Sequence, residues 1–347
     1  MKKNFPVCSG RSAAALLWIV LTCLLFSASL GAGEIAVFKA ELAETFTGLN
    51  VENVSHLIQK NGILYILETG NHRVLTLKNN VISGQLGRIG QKKGEFYYPR
   101  DLIVDNKSRL YVLDFVGKSA NRVQIFDAAG ELLSGFTIAS KTWGFAVDSK
   151  GNVFLGQPHS GALISVFSPA GKRIAGIGNL IRPSEIYGKE YKSSDRLFKN
   201  PMNRVHIAVD EKDNTWVSFL FMPLLIKFNP AGELLFKKVV DTPALTPLRK
   251  IIWQGGKESR DYLSRNIDGH QMTVIVKDMI YKPALKELYL LLGSDEILVL
   301  DDGGKPRRII KPQFVQGVLE SFFINEANEI LVRFFFHPEF YKLTIIK

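Results

Sequence analysis

Phe126-Asp-Ala-Ala-Gly-Glu-Leu-Leu133 is one of four stretches in this 347-residue chain that share a single pattern. The others are Phe167-Ser-Pro-Ala-Gly-Lys-Arg-Ile174, Phe228-Asn-Pro-Ala-Gly-Glu-Leu-Leu235 and Leu300-Asp-Asp-Gly-Gly-Lys-Pro-Arg307. Each joins the end of a hydrophobic strand, a polar turn and the start of a second strand. One hairpin that recurs at long intervals indicates a repeat architecture.

A second element recurs upstream of the first three copies. Leu102-Ile-Val-Asp105, Phe145-Ala-Val-Asp148 and Ile207-Ala-Val-Asp210 each end a short apolar strand in aspartate. The interval from this aspartate to the later turn glycine is nearly constant (105 to 130, 148 to 171, 210 to 232), so both elements belong to one unit. Short strands separated by Gly, Asn, Asp and Pro are typical of a propeller blade. Aspartate in such a turn bonds its own backbone, which explains the residue better than a calcium site does.

The second unit is the most complete copy of the repeat. It reads Pro99-Arg-Asp-Leu-Ile-Val-Asp105, Leu110-Tyr-Val-Leu-Asp114 and Asn121-Arg-Val-Gln-Ile-Phe-Asp127, followed by Gly130. This pattern resembles one NHL repeat, and Gly87-Arg-Ile-Gly90 with Gly94-Glu-Phe96 resembles that family's connection between blades. An earlier copy reads Leu64-Tyr-Ile-Leu-Glu68 and Asn71-His-Arg-Val74, and later copies lose the Asn-Arg pair. The resemblance implies a propeller, and some six-bladed relatives are metal-dependent lyases.

Six units fit into the chain. They span about 51–90, 99–138, 142–178, 201–240, 271–312 and 313–347, and the sixth shows only three strands. The segment Glu34-Ile-Ala-Val-Phe-Lys-Ala40 is a natural donor for its missing outer strand. We therefore predict an all-β fold: one six-bladed propeller of four-stranded antiparallel blades over residues 34–347. Pairing of the N- and C-terminal strands closes the ring and removes a sheet edge.

The N-terminus has the pattern of a targeting segment. Basic residues lie between 2 and 11, an apolar run covers 13–26 and small residues cover 29–33. The apolar run is shorter than a membrane span, which predicts that residues 1–33 are a cleaved signal peptide, with an uncleaved anchor as the alternative. Cys8 and Cys23 both lie in this segment. The mature protein therefore lacks thiol chemistry, and we expect it to be periplasmic or extracellular without a membrane span.

The charge balance is basic, at +11 for the whole chain. Lysines are scattered through turns, as in Lys92, Lys107 and Lys150. This is compatible with simple solubility or with attraction to an anionic surface such as lipopolysaccharide, acidic polysaccharide or anionic lipid. No basic helix or aromatic RNA-reading motif is present, so nucleic acid is not an expected partner.

Two insertions interrupt the four-strand unit, at about 179–200 and 241–269. Each lies between the outermost strand of one blade and the innermost strand of the next. In propellers these connections open on the same face as the loops between second and third strands, where binding sites are usually built. Tyr187, Tyr191 and Trp253 would form a binding surface there if they are exposed, or would anchor the inserted loops if they are not.

The histidines fall toward the same face. His72, His159 and His337 are predicted in loops between second and third strands, His56 and His206 in or near innermost strands, and His270 directly before one. A funnel lined by His72, His159, His206, His270 and His337 would suit a metal such as zinc. No His-x-x-x-His spacing supports this set, so polar residues that line loops or the channel are the simpler interpretation.

Two acidic residues occupy equivalent positions at the ends of second strands, Glu68 and Asp114. They would serve as an acid/base pair or as calcium ligands, or they would pin loops through the nearby residues Asn71, Arg73, Asn121 and Arg122. Equivalence across repeats favours the structural role, because a catalytic pair is needed at only one place.

The function predicted from sequence is that of a binding or scaffold module without a cofactor. No Gly-x-Ser-x-Gly elbow, His-Glu-x-x-His, phosphate loop or dinucleotide fingerprint is present. The predicted partner is a protein, peptide or glycan of the cell envelope, bound by Tyr187, Tyr191, Trp253, His159 and His206. The alternative is a metal-dependent lyase or hydrolase that uses zinc or calcium at the histidine-lined funnel.

Overall fold

A computed structural model describes residues 36–45, 51, 53–79, 81–117, 120–187, 201–243, 245, 264–267, 270–313, 317–334 and 340–346. The predicted signal peptide, Tyr191, Trp253 and His337 lie outside these residues and stay predictions. From Ala36 onward the described residues belong to one compact unit.

Four blades are plain meanders of four antiparallel strands in chain order. Blade 1 holds β2 (Val54–Lys60), β3 (Ile63–Glu68), β4 (Arg73–Lys78) and β5 (Val81–Leu86). Blade 2 holds β6 (Pro99–Val104), β7 (Leu110–Gly117), β8 (Ala120–Phe126) and β9 (Leu132–Ile138). Blade 3 holds β10 (Phe145–Val147), β11 (Val153–Gly156), β12 (Ile164–Phe167) and β13 (Arg173–Ile177). Blade 4 holds β14 (Val205–Val209), β15 (Thr215–Phe219), β16 (Leu224–Phe228) and β17 (Leu234–Val239).

The last two blades are joined into one eight-stranded sheet. Blade 5 holds β20 (Val276–Lys282), β21 (Glu287–Leu292), β22 (Ile297–Asp301) and β23 (Pro306–Gln313). Blade 6 holds β24 (Leu319–Ile324), β25 (Ile330–Phe334) and β26 (Phe340–Ile346). Its fourth strand is β1 (Ala36–Thr45), which pairs antiparallel with β26. The predicted closure by the chain ends is confirmed.

The closing strand also has a partner that the sequence did not indicate. From Ala36 to Glu41, β1 pairs in parallel with β23, the outer strand of blade 5. The strand is therefore bonded along both edges, and neither blade 5 nor blade 6 keeps a free outer edge in this stretch.

Contacts between innermost strands complete the ring. Strand β2 contacts β6, β6 contacts β10, β10 contacts β14, β14 contacts β20, β20 contacts β24, and β24 contacts β2. Six blades therefore surround one central channel, as predicted. The core lies in layers between blades: Leu67 and Leu102, for example, are both fully buried between blades 1 and 2.

The repeated hairpin has one local explanation. Its first turn residue is Asp127, Ser168, Asn229 or Asp301, and in each case the side-chain oxygen accepts the backbone N–H four residues later. Its glycine is Gly130, Gly171, Gly232 or Gly304, all with φ between 72° and 86°. This left-handed conformation suits glycine and gives a hairpin with a one-residue bulge. The pattern is a requirement of the scaffold.

The turn aspartates are also structural. The Oδ1 atoms of Asp105, Asp148 and Asp210 accept the backbone N–H groups two and four residues later. This confirms the prediction that these residues bond their own turns.

The insertions depart from the predicted boundaries in one place. Helix α1 (Ser184–Tyr187) lies in the first insertion, whose base is clamped by the buried Asn203 amide, bonded to Ile181 N and O. The second insertion contains a separate hairpin of β18 (Ser264–Ile267) and β19 (His270–Thr273). The prediction that His270 directly precedes an innermost strand is wrong, because His270 pairs within this hairpin and blade 5 begins only at Val276.

Candidate functional site

One face of the propeller carries the loops between second and third strands together with the connections between blades; we call it the mouth face. His72 immediately precedes β4, and His159 lies in a 3₁₀ turn (Pro158–Ser160) between β11 and β12. Both therefore lie on the predicted face. His159 is exposed, whereas His72 is partly buried and its Nδ1 has no hydrogen-bond partner.

A partly exposed residue occupies an equivalent position near the mouth-face end of each innermost strand, which in blade 3 is the residue directly before the strand. From blade 1 to blade 6 these residues are His56, Asp101, Gly144, His206, Asp278 and Ser321, which we call the channel ring. The residue that follows each one is buried: Leu57, Leu102, Phe145, Ile207, Met279 and Phe322. At each of these positions an accessible residue is followed by a buried one, and we take the accessible residue to face the channel.

The channel ring has an approximate two-fold pattern. In a six-bladed ring, blade 1 lies opposite blade 4, blade 2 opposite blade 5 and blade 3 opposite blade 6. The opposed pairs are His56 with His206, Asp101 with Asp278, and Gly144 with Ser321. The channel therefore carries two imidazoles and two carboxylates at one level.

On blades 1 and 2 the ring residues contact each other through their side chains. His56 Nδ1 lies 3.4 Å from Asp101 Oδ1, and the two side chains are 35% and 29% exposed. Burial in the channel raises the pKa of Asp101, and the charge of Asp278 across the channel raises it further against the opposing effect of His56. The accessible surface of Asp101 therefore faces an enclosed channel, where a carboxylate is poorly hydrated.

On blades 4 and 5 the equivalent residues are bonded to backbone instead. His206 Nε2 lies 3.1 Å from the carbonyl oxygen of Val276. Asp278 accepts the backbone N–H of Met279 at 2.8 Å and that of Phe322 at 3.4 Å. The contacts with Val276 and Phe322 join neighbouring blades. The two halves of the ring thus have similar residues and different bonding.

Above the ring, an indole holds two guanidinium groups. Trp143 lies in the connection before β10, and its ring centroid is 3.8 Å from Arg204 Cζ and 5.5 Å from Arg100 Cζ. Arg100 is exposed, and Trp143 and Arg204 are partly buried. Stacking on an aromatic face fixes the plane of a guanidinium without neutralising its charge. Arg100 therefore presents an exposed, oriented positive charge on this part of the mouth.

Two tyrosines precede Arg100 in the connection between blades 1 and 2. Tyr97 is 44% exposed and Tyr98 is 51% exposed. Their backbone N–H groups both donate to Asp114, which is fully buried and also accepts from Arg122 Nη2 at 2.6 Å. Exposed rings on a fixed backbone are typical of preorganised binding surfaces.

The structural interpretation of Glu68 and Asp114 is supported by their contacts. Glu68, also fully buried, accepts from Asn71 Nδ2 and from Arg73 Nε, each at 2.6 Å. Asp114 accepts from Arg122 as predicted. Asn121 does not reach Asp114 and donates to the Ser140 carbonyl instead, because it faces the next interblade connection.

The predicted site residues are brought together only in part. His206 lies in the channel ring, His159 lies on the mouth face, and Tyr187 ends helix α1. Within the described residues, no group of three or more His, Cys, Asp or Glu side chains is arranged to hold a metal ion. The predicted metal set is therefore not assembled from His72, His159 and His206; the side chain of His270 and all of His337 lie outside the described residues.

Sequence reasoning missed the residues that dominate the mouth. Asp101, Arg100 and Trp143 form no local site motif, because they come from two blades: Arg100 and Asp101 lie in β6 of blade 2, and Trp143 precedes β10 of blade 3. The segment Phe96-Tyr97-Tyr98 contained a usable signal. Phe96 fits the buried position of the linker between blades, and Tyr97 and Tyr98 have no such position to fill.

Comparisons with known proteins bear on the fold. No protein-family model matches the chain, NHL repeats included, and no curated protein matches it. An exported protein of Bacteroides fragilis NCTC 9343 is similar at a TM-score of 0.54 and 15% identity, over 92% of this chain and 98% of that one. A streptogramin B lyase is similar at a TM-score of 0.51 and 10% identity, over 87% and 97%. A catalytically inactive virginiamycin B lyase from Staphylococcus aureus, with quinupristin, is similar at 0.51 and 12%, over 89% and 100%.

At these identities the similarity concerns the fold alone. In the part of the chain that the structure describes, no helix has the length and hydrophobicity of a membrane span. The chain is a six-bladed β-propeller whose channel mouth carries aromatic, guanidinium, imidazole and carboxylate groups.

Proposed function

We propose that this protein is an exported binding module that recognises a protein, peptide or glycan of the cell envelope on its mouth face. The export signal at residues 1–33 and a periplasmic or extracellular location are part of the proposal. The ligand-binding surface centres on Tyr97, Tyr98, Arg100 and Trp143, and the proposal keeps His159 on the mouth face and His206 in the channel ring as further ligand contacts.

The observation that carries the proposal is the presentation of Tyr97 and Tyr98. Tyr97 is 44% and Tyr98 51% exposed, although the backbone beneath is bonded to a fully buried carboxylate. The buried Asp114–Arg122 pair belongs to the scaffold, as the Glu68–Arg73 pair does in blade 1, and it fixes the backbone that carries both tyrosines. Rigid exposed aromatics lose little entropy on binding, which favours recognition.

The positive charge of the mouth indicates which class of partner it binds. Arg100 and Arg204 flank Trp143, and Lys92 and Lys93 lie exposed in the same connection as the tyrosines. Basic groups beside aromatic rings suit an anionic partner with planar or apolar surface. The exposed hydrophobic residue Ile89, at 65%, extends this surface.

The direct test is co-sedimentation of the purified exported protein with isolated cell-envelope fraction. We expect Tyr97→Ala with Tyr98→Ala to reduce the bound fraction about tenfold or more, since aromatic anchors carry much of the binding free energy at interfaces. The matched control is Leu133→Ser, which changes a residue that is 54% exposed on an outer strand. Equal loss in the control, or no loss in the double variant, would reject the surface.

The second candidate is the metal-dependent lyase or hydrolase, with zinc or calcium held partly by His206 in the channel ring. Its support is the type of side chain in the channel ring, two imidazoles and two carboxylates, which are ligands that divalent metals accept. Among the described residues no three of them are grouped around one position, so this candidate requires ligands from outside that part of the chain. Metal analysis after native purification tests it. Stoichiometric metal that is lost in His206→Ala would favour this candidate over a binding module without a cofactor.

A further inference from the structure

We propose that the channel mouth is a subsite for an anionic sugar, whose acidic group binds the guanidiniums at Trp143 and whose hydroxyl groups bind the His56–Asp101 pair below. The inference rests on the proposed binding function and names the ligand class. It assigns the deep end of the site to four residues: Arg100, Trp143, His56 and Asp101.

The upper end of the subsite is built for an oxyanion. Arg204 Cζ lies 3.8 Å and Arg100 Cζ 5.5 Å from the centroid of the Trp143 ring, so the indole holds both guanidiniums in defined positions. A guanidinium plane matches a carboxylate or sulfate through paired N–H donors. Arg100 is the exposed member of the pair, and a ligand at the mouth reaches it first.

The lower end is built for hydroxyl groups. Arg100 and Asp101 are consecutive, and Arg100 lies close enough to lower the pKa of Asp101 against the larger effect of burial. Among the described residues, the polar contacts of Asp101 to His56 and to the Leu102 N–H both use Oδ1. Oδ2 is then available to accept a hydroxyl proton, and the imidazole offers a second nitrogen beside it. Vicinal hydroxyls on a pyranose match such a pair of adjacent acceptors.

The two halves of the channel ring can be compared to identify which half binds the sugar hydroxyl groups. His206 and Asp278 have the same side chains as His56 and Asp101, but His206 lies against the Val276 carbonyl of the next blade and Asp278 accepts the Phe322 N–H of the next blade. The imidazole and carboxylate of the blade 1–2 half contact each other, and this half lies beside Arg100. The opposite half therefore supplies an internal control for residue type and depth.

The guanidinium pair alone does not distinguish a carboxylate sugar from a sulfated sugar, so the experiment uses both. Isothermal titration calorimetry on the exported protein compares short oligogalacturonate, sulfated galactan oligosaccharide and neutral galactan oligosaccharide. We expect one anionic probe to bind and the neutral probe not to bind. Arg100→Gln and Asp101→Asn should each weaken that binding about 10- to 100-fold, the usual effect of losing a hydrogen bond to a charged group.

The control variant is Arg307→Gln, which removes an arginine that is 53% exposed on the outer strand of blade 5. It should bind the anionic probe with unchanged affinity. Equal binding of the neutral probe, or full affinity in both Arg100→Gln and Asp101→Asn, would overturn the inference. If neither anionic probe binds while envelope binding still depends on Tyr97 and Tyr98, the anionic-sugar subsite is rejected and the proposed function survives.

Discussion

The loops between first and second strands carry Asp105, Asp148 and Asp210 on the face opposite the mouth face, which we call the turn face. The two faces use the same kinds of polar residue in different ways. On the turn face, Asp105, Asp148 and Asp210 are bonded to backbone N–H groups of their own turns. On the mouth face, Asp101 lies poorly hydrated in the channel beside His56, and burial raises its pKa. The turn face repeats because local geometry requires it; the mouth face differs from blade to blade because no such requirement acts there.

This contrast separates scaffold from site by bonding rather than by residue type. A carboxylate whose pKa is lowered in the folded protein stabilises the fold when ionised, whereas one whose pKa is raised destabilises it when ionised. A carboxylate with a raised pKa in a channel therefore indicates a role in ligand binding. Four changes test how sharply this distinction holds.

The largest effect is expected at Asp114, the support beneath the mouth. Asp114→Ala removes the acceptor for two backbone N–H groups and leaves the buried Arg122 without its carboxylate. We expect a loss of about 3–5 kcal/mol in the free energy of unfolding, measured by urea denaturation at neutral pH. A loss below about 1 kcal/mol would show that the support is not structural, given that surface changes fall in that range.

The repeated turn offers a matched pair of glycines. A Cβ at Gly171 would lie 2.5 Å from Phe136 Cβ, whereas one at Gly130 would meet only Leu86 Cδ1 at 3.7 Å. Both have left-handed φ, of 83° and 86°. Gly171→Ala should cost about 2–4 kcal/mol and Gly130→Ala about 1–2 kcal/mol, from backbone strain alone in the second case. Equal melting temperatures for the two variants would contradict the difference.

Glu287 is a buried carboxylate outside the mouth that accepts several hydrogen bonds, and it serves as a comparison for Asp101. Burial alone would raise its pKa, but hydrogen bonds from Arg308 and the Tyr289 hydroxyl outweigh burial and lower it. Its stabilisation is therefore present above its unfolded pKa and is lost as pH falls through its folded pKa. Glu287→Gln should cost about 1–3 kcal/mol at neutral pH. The difference from the parent protein should shrink when thermal unfolding is followed down to pH 3.

Substitution of Asp101 should change stability less than substitution of Glu287, and it should increase it. Because its folded pKa is raised, its ionised form is less favourable in the folded state at neutral pH than in the unfolded chain. Asp101→Asn should raise the melting temperature by about 1–2 °C at neutral pH. The gain should disappear below about pH 4, near the ordinary pKa of aspartate, where both states are protonated. If Asp101→Asn melts at a lower temperature than the parent protein at neutral pH, Asp101 has a structural role instead.

The fold was predictable because its signals are local. Glycine at the left-handed turn position and aspartate before the second strand of blades 2, 3 and 4 recur at nearly constant spacing, and the missing strand of blade 6 pointed to β1. The parallel pairing of β1 with β23 was not predictable, because it joins two blades without any sequence pattern of its own.

The site was much less predictable. Tyr187 and His206 were chosen for their place in insertions and strands, and only His206 lies in the channel ring. His56 and Asp101 meet because blades 1 and 2 are neighbours, which fixes a contact between residues distant in sequence. Such a contact becomes visible only once the register of every innermost strand is known.

The most direct test of the central claim compares the two faces in one binding experiment. Co-sedimentation with cell-envelope fraction would be measured for the parent protein, for Tyr98→Ala with Arg100→Gln on the mouth face, and for Lys150→Ala on the turn face. Recognition by the mouth predicts that the first variant loses about tenfold or more of its binding, with an unchanged melting temperature, and that the second binds like the parent. Retained binding in the mouth variant, or its loss in the turn-face variant, would contradict the account.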